Sequence, residues 1–327
     1  VGGMTARSIL NLTASLLAPL LAASWVAHLT QNRRAGLWAG LLWAVQPVAL
    51  RLMVSGALMP LTIALLLALL VSVEYARDSG SKIAVLAMCG FIVLVLNSRL
   101  EMALVAVWVV QRLWGRSVLG AALGAILLGG VAPVLLYIFG AVAQVDGWGL
   151  DTTSVVDHTR AHLPQNLLFW FDWRAAPPLL VPLGLLTLVL FPRGRTGRGE
   201  LQGVSTDGEE REQLQSLPTP GLLLMVAGFL YVYSTYHIGT FDPGGDDAWR
   251  YALPVAVFIL PLSVLPLVAV TERFQGQRRL VLVLLVTLGC IGPLVGQLPF
   301  VSAQHPLSEF DRQVRESDPA PGHLTLT

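Results

Sequence analysis

Asn97-Ser98-Arg99-Leu100-Glu101 breaks an otherwise apolar stretch that runs from Ile83 to Val110. How these five residues fold decides the topology of the whole chain. If 81–114 is one long helix, every later loop lies on the opposite side from where a turn at 97–101 would put it. The basic residues arbitrate, because the cytoplasmic loops of membrane proteins carry an excess of lysine and arginine. With a turn at 97–101, one side receives Arg33, Arg34, Arg77, Lys82, Arg112, Arg116, Arg193, Arg195, Arg198, Arg211, Arg273, Arg278 and Arg279, which is 13 of the 21 basic residues. Arg7, Arg51, Arg99, Arg160, Arg174, Arg250, Arg312 and Arg315 fall on the other. A single long helix abolishes this bias. The sequence therefore predicts two short helices meeting at Arg99, with residues 1–7 and the tail from 301 outside.

Composition sets the class in which this argument holds. Hydrophobic residues make up 54% of the chain, charged residues 13%, and the mean hydropathy is +0.67. A soluble domain carries about a quarter charged residues. The expected fold is an all-α, polytopic transmembrane helix bundle, multi-pass in the cell (inner or plasma) membrane, with the lipid bilayer as its solvent. A span needs about 20 apolar residues, fewer when buried among others. About ten are predicted, near 8–28, 37–55, 58–74, 83–97, 101–114, 118–142, 176–192, 219–238, 251–271 and 280–300. Residues 1–300 then form the membrane domain, with an extracytoplasmic loop at 144–175 carrying short interfacial helices and a cytoplasmic loop at 193–218. Residues 301–327 form a polar extracytoplasmic tail. Cys89 and Cys290 lie inside apolar runs and read as packing residues. The net charge of +1 is uninformative, and nothing calls for nucleic acid, a metal or a cofactor.

With this sidedness the reactive side chains gather on the outer face, in the connections 97–101, 144–175 and 239–250. The first carries Arg99 and Glu101. The second carries Asp146, Asp151, Asp157, His158, His162 and Arg174, with a short aromatic-rich interfacial helix expected at 162–173. His158 and His162 have the i, i+4 spacing of metal ligands, but no third ligand has a matching position. The third holds Asp242, Asp246 and Asp247, then Arg250-Tyr251-Ala252-Leu253-Pro254 at the mouth of an apolar run. An arginine at the mouth of a membrane helix is costly unless a negative charge is met there. Arg250 with Tyr251 can bind a phosphate oxygen, or they can be a snorkelling arginine and an aromatic-belt tyrosine. Arg99 and Glu101 can likewise form an anion site or a self-satisfied pair at a tight turn. Arg51, beside Pro47, reads as a snorkelling residue only, and the arginines of the cytoplasmic loops as ordinary anchors.

Several segments, in order, resemble the integral-membrane glycosyltransferases of the GT-C fold, which include protein O-mannosyltransferases and bacterial aminoarabinose transferases. They are Ala6-Arg7-Ser8, then Arg33-Arg34-Ala35-Gly36, then Leu41-Leu42-Trp43-Ala44-Val45-Gln46-Pro47. Ser98-Arg99-Leu100-Glu101 stands where an Arg-Pro-Glu turn often occurs, with leucine for proline, and Arg250-Tyr251-Ala252-Leu253-Pro254 fits an Arg-Tyr-x-x-Pro helix start. The resemblance covers most of 5–300. It implies transfer of a sugar from a polyprenyl-phosphate donor to an acceptor, which can be protein, lipid or glycan, on the extracytoplasmic face. Donor-binding residues would come from Arg250, Tyr251, Arg99, Glu101, Arg174, His158 and Asp247.

The family's catalytic base is an acid between its first and second helices. Because residues 5–28 match the second helix, that acid is expected upstream of Val1, and the chain alone is expected to be inactive. Asp146, Asp151 and Asp157 are the remaining candidates within it. Leu307-Ser308-Glu309-Phe310 resembles the start of an extracytoplasmic domain that some members carry. Two other functions compete: a transporter or lipid flippase, against which the lack of internal repeats counts, and a catalytically silent membrane scaffold.

Overall fold

A computed structural model describes residues 2–53, 59–142, 152–171, 218–235, 251–273 and 295. The described residues are almost all helical, with no strand among them. Ten α-helices are described: α1 (Gly2–Thr30), α2 (Arg33–Ala44), α3 (Pro47–Met53), α4 (Met59–Ser79), α5 (Lys82–Ser98), α6 (Leu104–Leu113), α7 (Leu119–Val142), α8 (Thr152–Leu168), α9 (Thr219–Thr235) and α10 (Ala252–Arg273). Short 3-10 turns at Leu100–Ala103 and Phe169–Phe171 precede α6 and follow α8. Among the described residues, two stretches are long and apolar enough to cross a membrane: Ile9–Thr30 within α1 and Met59–Ser79, which is α4. The expected spans at 176–192 and 280–300, the loop 193–218 and the tail 301–327 lie outside the described residues, apart from Pro218 and Val295.

The helix boundaries follow local chemistry. The basic turn expected at 29–36 shrinks to Gln31 and Asn32. Gln31 takes a left-handed φ of 52°, and the Asn32 side chain accepts from the N–H groups of Arg34 and Ala35, starting α2. The span expected at 37–55 is interrupted at Val45 and Gln46, because Pro47 has no N–H to continue α2. In contrast, α4 runs past its expected end to Ser79, where Gly80 (φ 60°) stops it. The break at Arg99 is present: α5 ends at Ser98, and the chain re-enters helix at Leu100. The short helix expected at 162–173 is instead α8, longer and starting earlier, with Pro164 inside it.

Small residues let α1 and α2 approach closely. A Cβ added at Gly36 would lie 2.5 Å from the Ala23 carbonyl oxygen and 2.6 Å from Ala27 Cβ, and one at Gly40 would lie 3.0 Å from Ala23 Cβ and the Pro19 carbonyl oxygen. This four-residue glycine spacing is the one that joins helices in membranes, where packing rather than transfer from water drives association. α4 is the central helix, with 67% of its apolar window buried against 33% for α1. An aromatic series runs through the core. Trp25 of α1 packs edge-on against Trp108 of α6 (6.5 Å) and Phe258 of α10 (6.0 Å). Phe258 stacks on Phe229 of α9 (5.9 Å), Phe229 on Tyr233 (5.8 Å), and Tyr233 reaches Tyr251 (5.2 Å). Such ring pairs add about 0.5–1.5 kcal/mol each beyond their burial. The outward faces are apolar too: Leu16, Leu20, Leu37, Ile83, Leu127 and Leu128 are all exposed.

Candidate anion site at the Arg99 turn

The series of rings ends at the Arg99 turn, which is held in place from both sides. Asn97 at the end of α5 donates to the carbonyls of Val93 (2.8 Å) and Gly129 of α7 (3.1 Å). Ser98 donates to Val95 (2.7 Å). Asn97 thus ties α5 to α7, while the extended backbone of Arg99 (φ −161°, ψ 145°) redirects the chain into the 3-10 turn. Glu101 falls in the first turn of that element, where a carboxylate complements the exposed N–H groups.

Three elements converge here. The Arg99 Nε–H donates to Glu101 Oε1 in a close ion pair. A terminal Arg99 nitrogen donates to the Tyr251 hydroxyl at 3.2 Å, across 152 positions of sequence. The Arg99 guanidinium carbon also lies 4.8 Å from the centroid of the Tyr251 ring, a cation–π distance. Burial by itself would lower the Arg99 pKa. The Glu101 carboxylate and the bonds to Glu101 and Tyr251 raise it by more, so the guanidinium stays charged. Its side chain is 29% exposed and that of Glu101 13%. A guanidinium offers five N–H donors, and two are engaged among the described residues, leaving a fork that can accept an oxyanion.

Of the residues expected to bind a donor, the structure brings together Arg99, Glu101 and Tyr251. Arg250, Asp247, Arg174, Asp146 and Asp151 lie outside the described residues. His158 sits in α8, but its side chain is likewise outside them. Asp157 is an exposed residue of α8 and takes no part in the ties of the Arg99 turn. Sequence reasoning missed Tyr233, which is fully buried and presents its ring to Tyr251. It also missed the tie from α8 to α9, where buried Asn166 donates to buried Ser234 at 3.0 Å.

The larger omission lies at the other end of α6. Glu74 of α4 is completely buried and held by Arg112 of α6 through two bonds, Nε to Oε1 (2.5 Å) and a terminal nitrogen to Oε2 (2.8 Å). Arg77, one turn along α4, adds a contact of 3.0 Å and also holds Asp78. Arg77 and Arg112 are therefore not simple interfacial anchors, as sidedness alone suggested; they neutralise a buried acid. The signal was in the sequence: an acidic residue at the end of an apolar run needs a partner. Comparison with protein-family models, curated proteins and solved structures finds no match to this chain.

Proposed function

We propose that this protein is a multi-pass membrane protein of about ten spans, and that its outer face binds a lipid-linked phosphate at the Arg99 turn. In this proposal it is a GT-C-type glycosyltransferase, or part of one, that moves a sugar from a polyprenyl-phosphate donor to an extracytoplasmic acceptor. The observation that carries the proposal is the meeting of Arg99, Glu101 and Tyr251, from two distant connections assigned to the same face. Glu101 and Tyr251 orient the guanidinium, and its remaining N–H groups face a phosphate. Arg250, next to Tyr251 in sequence, supplies the second cation. The exposed leucines on α1, α2 and α7 support a lipid surround.

In the transfer, an acceptor hydroxyl oxygen attacks the anomeric carbon and the carbon–oxygen bond to phosphate breaks. The electron pair leaves with the phosphate, and the hydroxyl proton passes to a carboxylate base. Arg99 and Arg250 stabilise the charge growing on the departing phosphate. The test is binding of undecaprenyl phosphate against undecaprenol to the protein in phosphatidylcholine nanodiscs. Wild type is expected to prefer the phosphate, Arg99→Ala and Arg250→Ala to lose most of that preference, and Arg51→Ala to keep it. Equal binding of both lipids by wild type would remove the phosphate role. Sugar transfer by the full-length protein then tests the enzyme.

A further inference from the structure

We infer that Glu74 and Arg112 are positioning residues for the outer site: they set the depth of the Arg99 turn through α6. This inference rests on the anion-site proposal. α6 is a short helix of 10 residues, joined directly to the 3-10 turn that follows Arg99. Its buried side chains, Val105, Trp108, Val109 and Leu113, are apolar. Apolar packing, with Trp108 edge-on to Trp25 and Phe258, seats α6 against its neighbours, but the hydrophobic effect is itself non-directional, and directional bonds sharpen the position along the axis. α6 with its turn has such bonds at both ends.

At the inner end the reference point is α4, the more buried of the two described helices long and apolar enough to cross a membrane. Arg112 grips Glu74 with a two-bond fork, a geometry that tolerates little sliding. Next to it, Gly221 leaves room for Gln111: a Cβ at 221 would lie 2.4 Å from the Gln111 side-chain oxygen, so α9 closes against the same end. At the outer end, about 20 Å away along α6 and its 3-10 turn, Arg99 must reach the Tyr251 hydroxyl at the mouth of α10. Releasing the inner grip frees α6 to shift, and the bond to Tyr251, already 3.2 Å long, passes out of hydrogen-bond range with a small outward move. A displacement of about 1 Å is enough to cost roughly a hundredfold where geometry matters.

The test uses the full chain in phosphatidylcholine nanodiscs, reading the preference for undecaprenyl phosphate over undecaprenol by native mass spectrometry. Arg112→Ala leaves a buried carboxylate short of a partner and is at risk of misfolding, so the decisive variant is Glu74→Gln with Arg112→Gln, which removes both charges. It is expected to lower the phosphate preference about tenfold or more while leaving undecaprenol binding unchanged. Arg112→Lys, which keeps the charge without the fork, is expected to recover part of it. Arg116→Ala, in the exposed turn after α6, should match wild type. A folded double variant with undiminished preference overturns the positioning role and leaves the anion site standing. No preference in wild type overturns the anion site instead. In that case a spin-label distance between Ala103→Cys and Leu10→Cys still decides the mechanical link: it shifts in the double variant if α6 is held from its inner end and is unchanged if it is not.

Discussion

Two arginine–carboxylate pairs sit at opposite ends of α6, and they differ in completeness. At the inner end, Glu74 is 0% exposed, both its oxygens are bonded by Arg112, and Arg77 adds a third contact. At the outer end, Glu101 takes one bond from Arg99, the guanidinium is 29% exposed, and its other tie is to a neutral tyrosine. The comparison teaches how to separate a structural ion pair from a binding one. A charge with every partner supplied by the protein has nothing left to offer a ligand. A charge that is oriented, only half satisfied and open to solvent retains that capacity.

The prediction with the largest effect is all-or-none. If the two pairs lie on opposite faces of a membrane, cysteine at exposed Ala103 is labelled from outside by an impermeant maleimide, and cysteine at Gly115 only after permeabilisation; the reverse pattern breaks the comparison at its root. Next comes stability. Arg112→Ala should cost about 3–5 kcal/mol, because Glu74 stays buried without its main partner, whereas the Glu74→Gln, Arg112→Gln double variant should cost much less; chemical denaturation in detergent measures both. The outer pair should respond the other way. Arg99→Ala should cost less stability than Arg112→Ala, about 1–3 kcal/mol, because Glu101 keeps some exposure to solvent, yet remove about 2–4 kcal/mol of phosphate-specific stabilisation, roughly a hundredfold in binding or transfer. An Arg99→Ala chain that unfolds readily and still prefers the phosphate lipid would make the two pairs equivalent. The smallest effect belongs to Tyr251→Phe, which removes one neutral hydrogen bond but keeps the ring beneath the guanidinium. A loss of about 0.5–1.5 kcal/mol in lipid-phosphate affinity is expected, and a larger one would show that the hydroxyl itself touches the ligand.

The outer site was more legible in the sequence than the inner one. Asn97-Ser98 in an apolar run announces a break, and the sidedness expected from the basic residues assigns Arg99 and Tyr251 to one face. The inner pair joins residues 38 positions apart, and a single sequence carries no periodic signal for such a pairing. The additional partner of Glu74, Arg77, also hid in what reads as a loop. Arg77 and Asp78 look like connection residues, yet α4 stays helical through them because Arg77 must lie one turn beyond Glu74 to reach it. The break at Val45 and Gln46 was marked by Pro47, but the apolar residues on both sides made 37–55 look continuous.

The close fit of α1 and α2 bears on how such a chain enters a bilayer during synthesis. α2 has 12 residues and reaches about 18 Å, well short of a hydrocarbon core of about 30 Å. Emerging alone from the insertion machinery, it would leave polar ends stranded in lipid. Gly36 and Gly40 let it lie directly on α1 from the moment both are made. On the proposed membrane reading, α1 and α2 leave the translocon as one hairpin, and a bulky side chain at Gly36 would be felt first as failed insertion and degradation of the nascent chain.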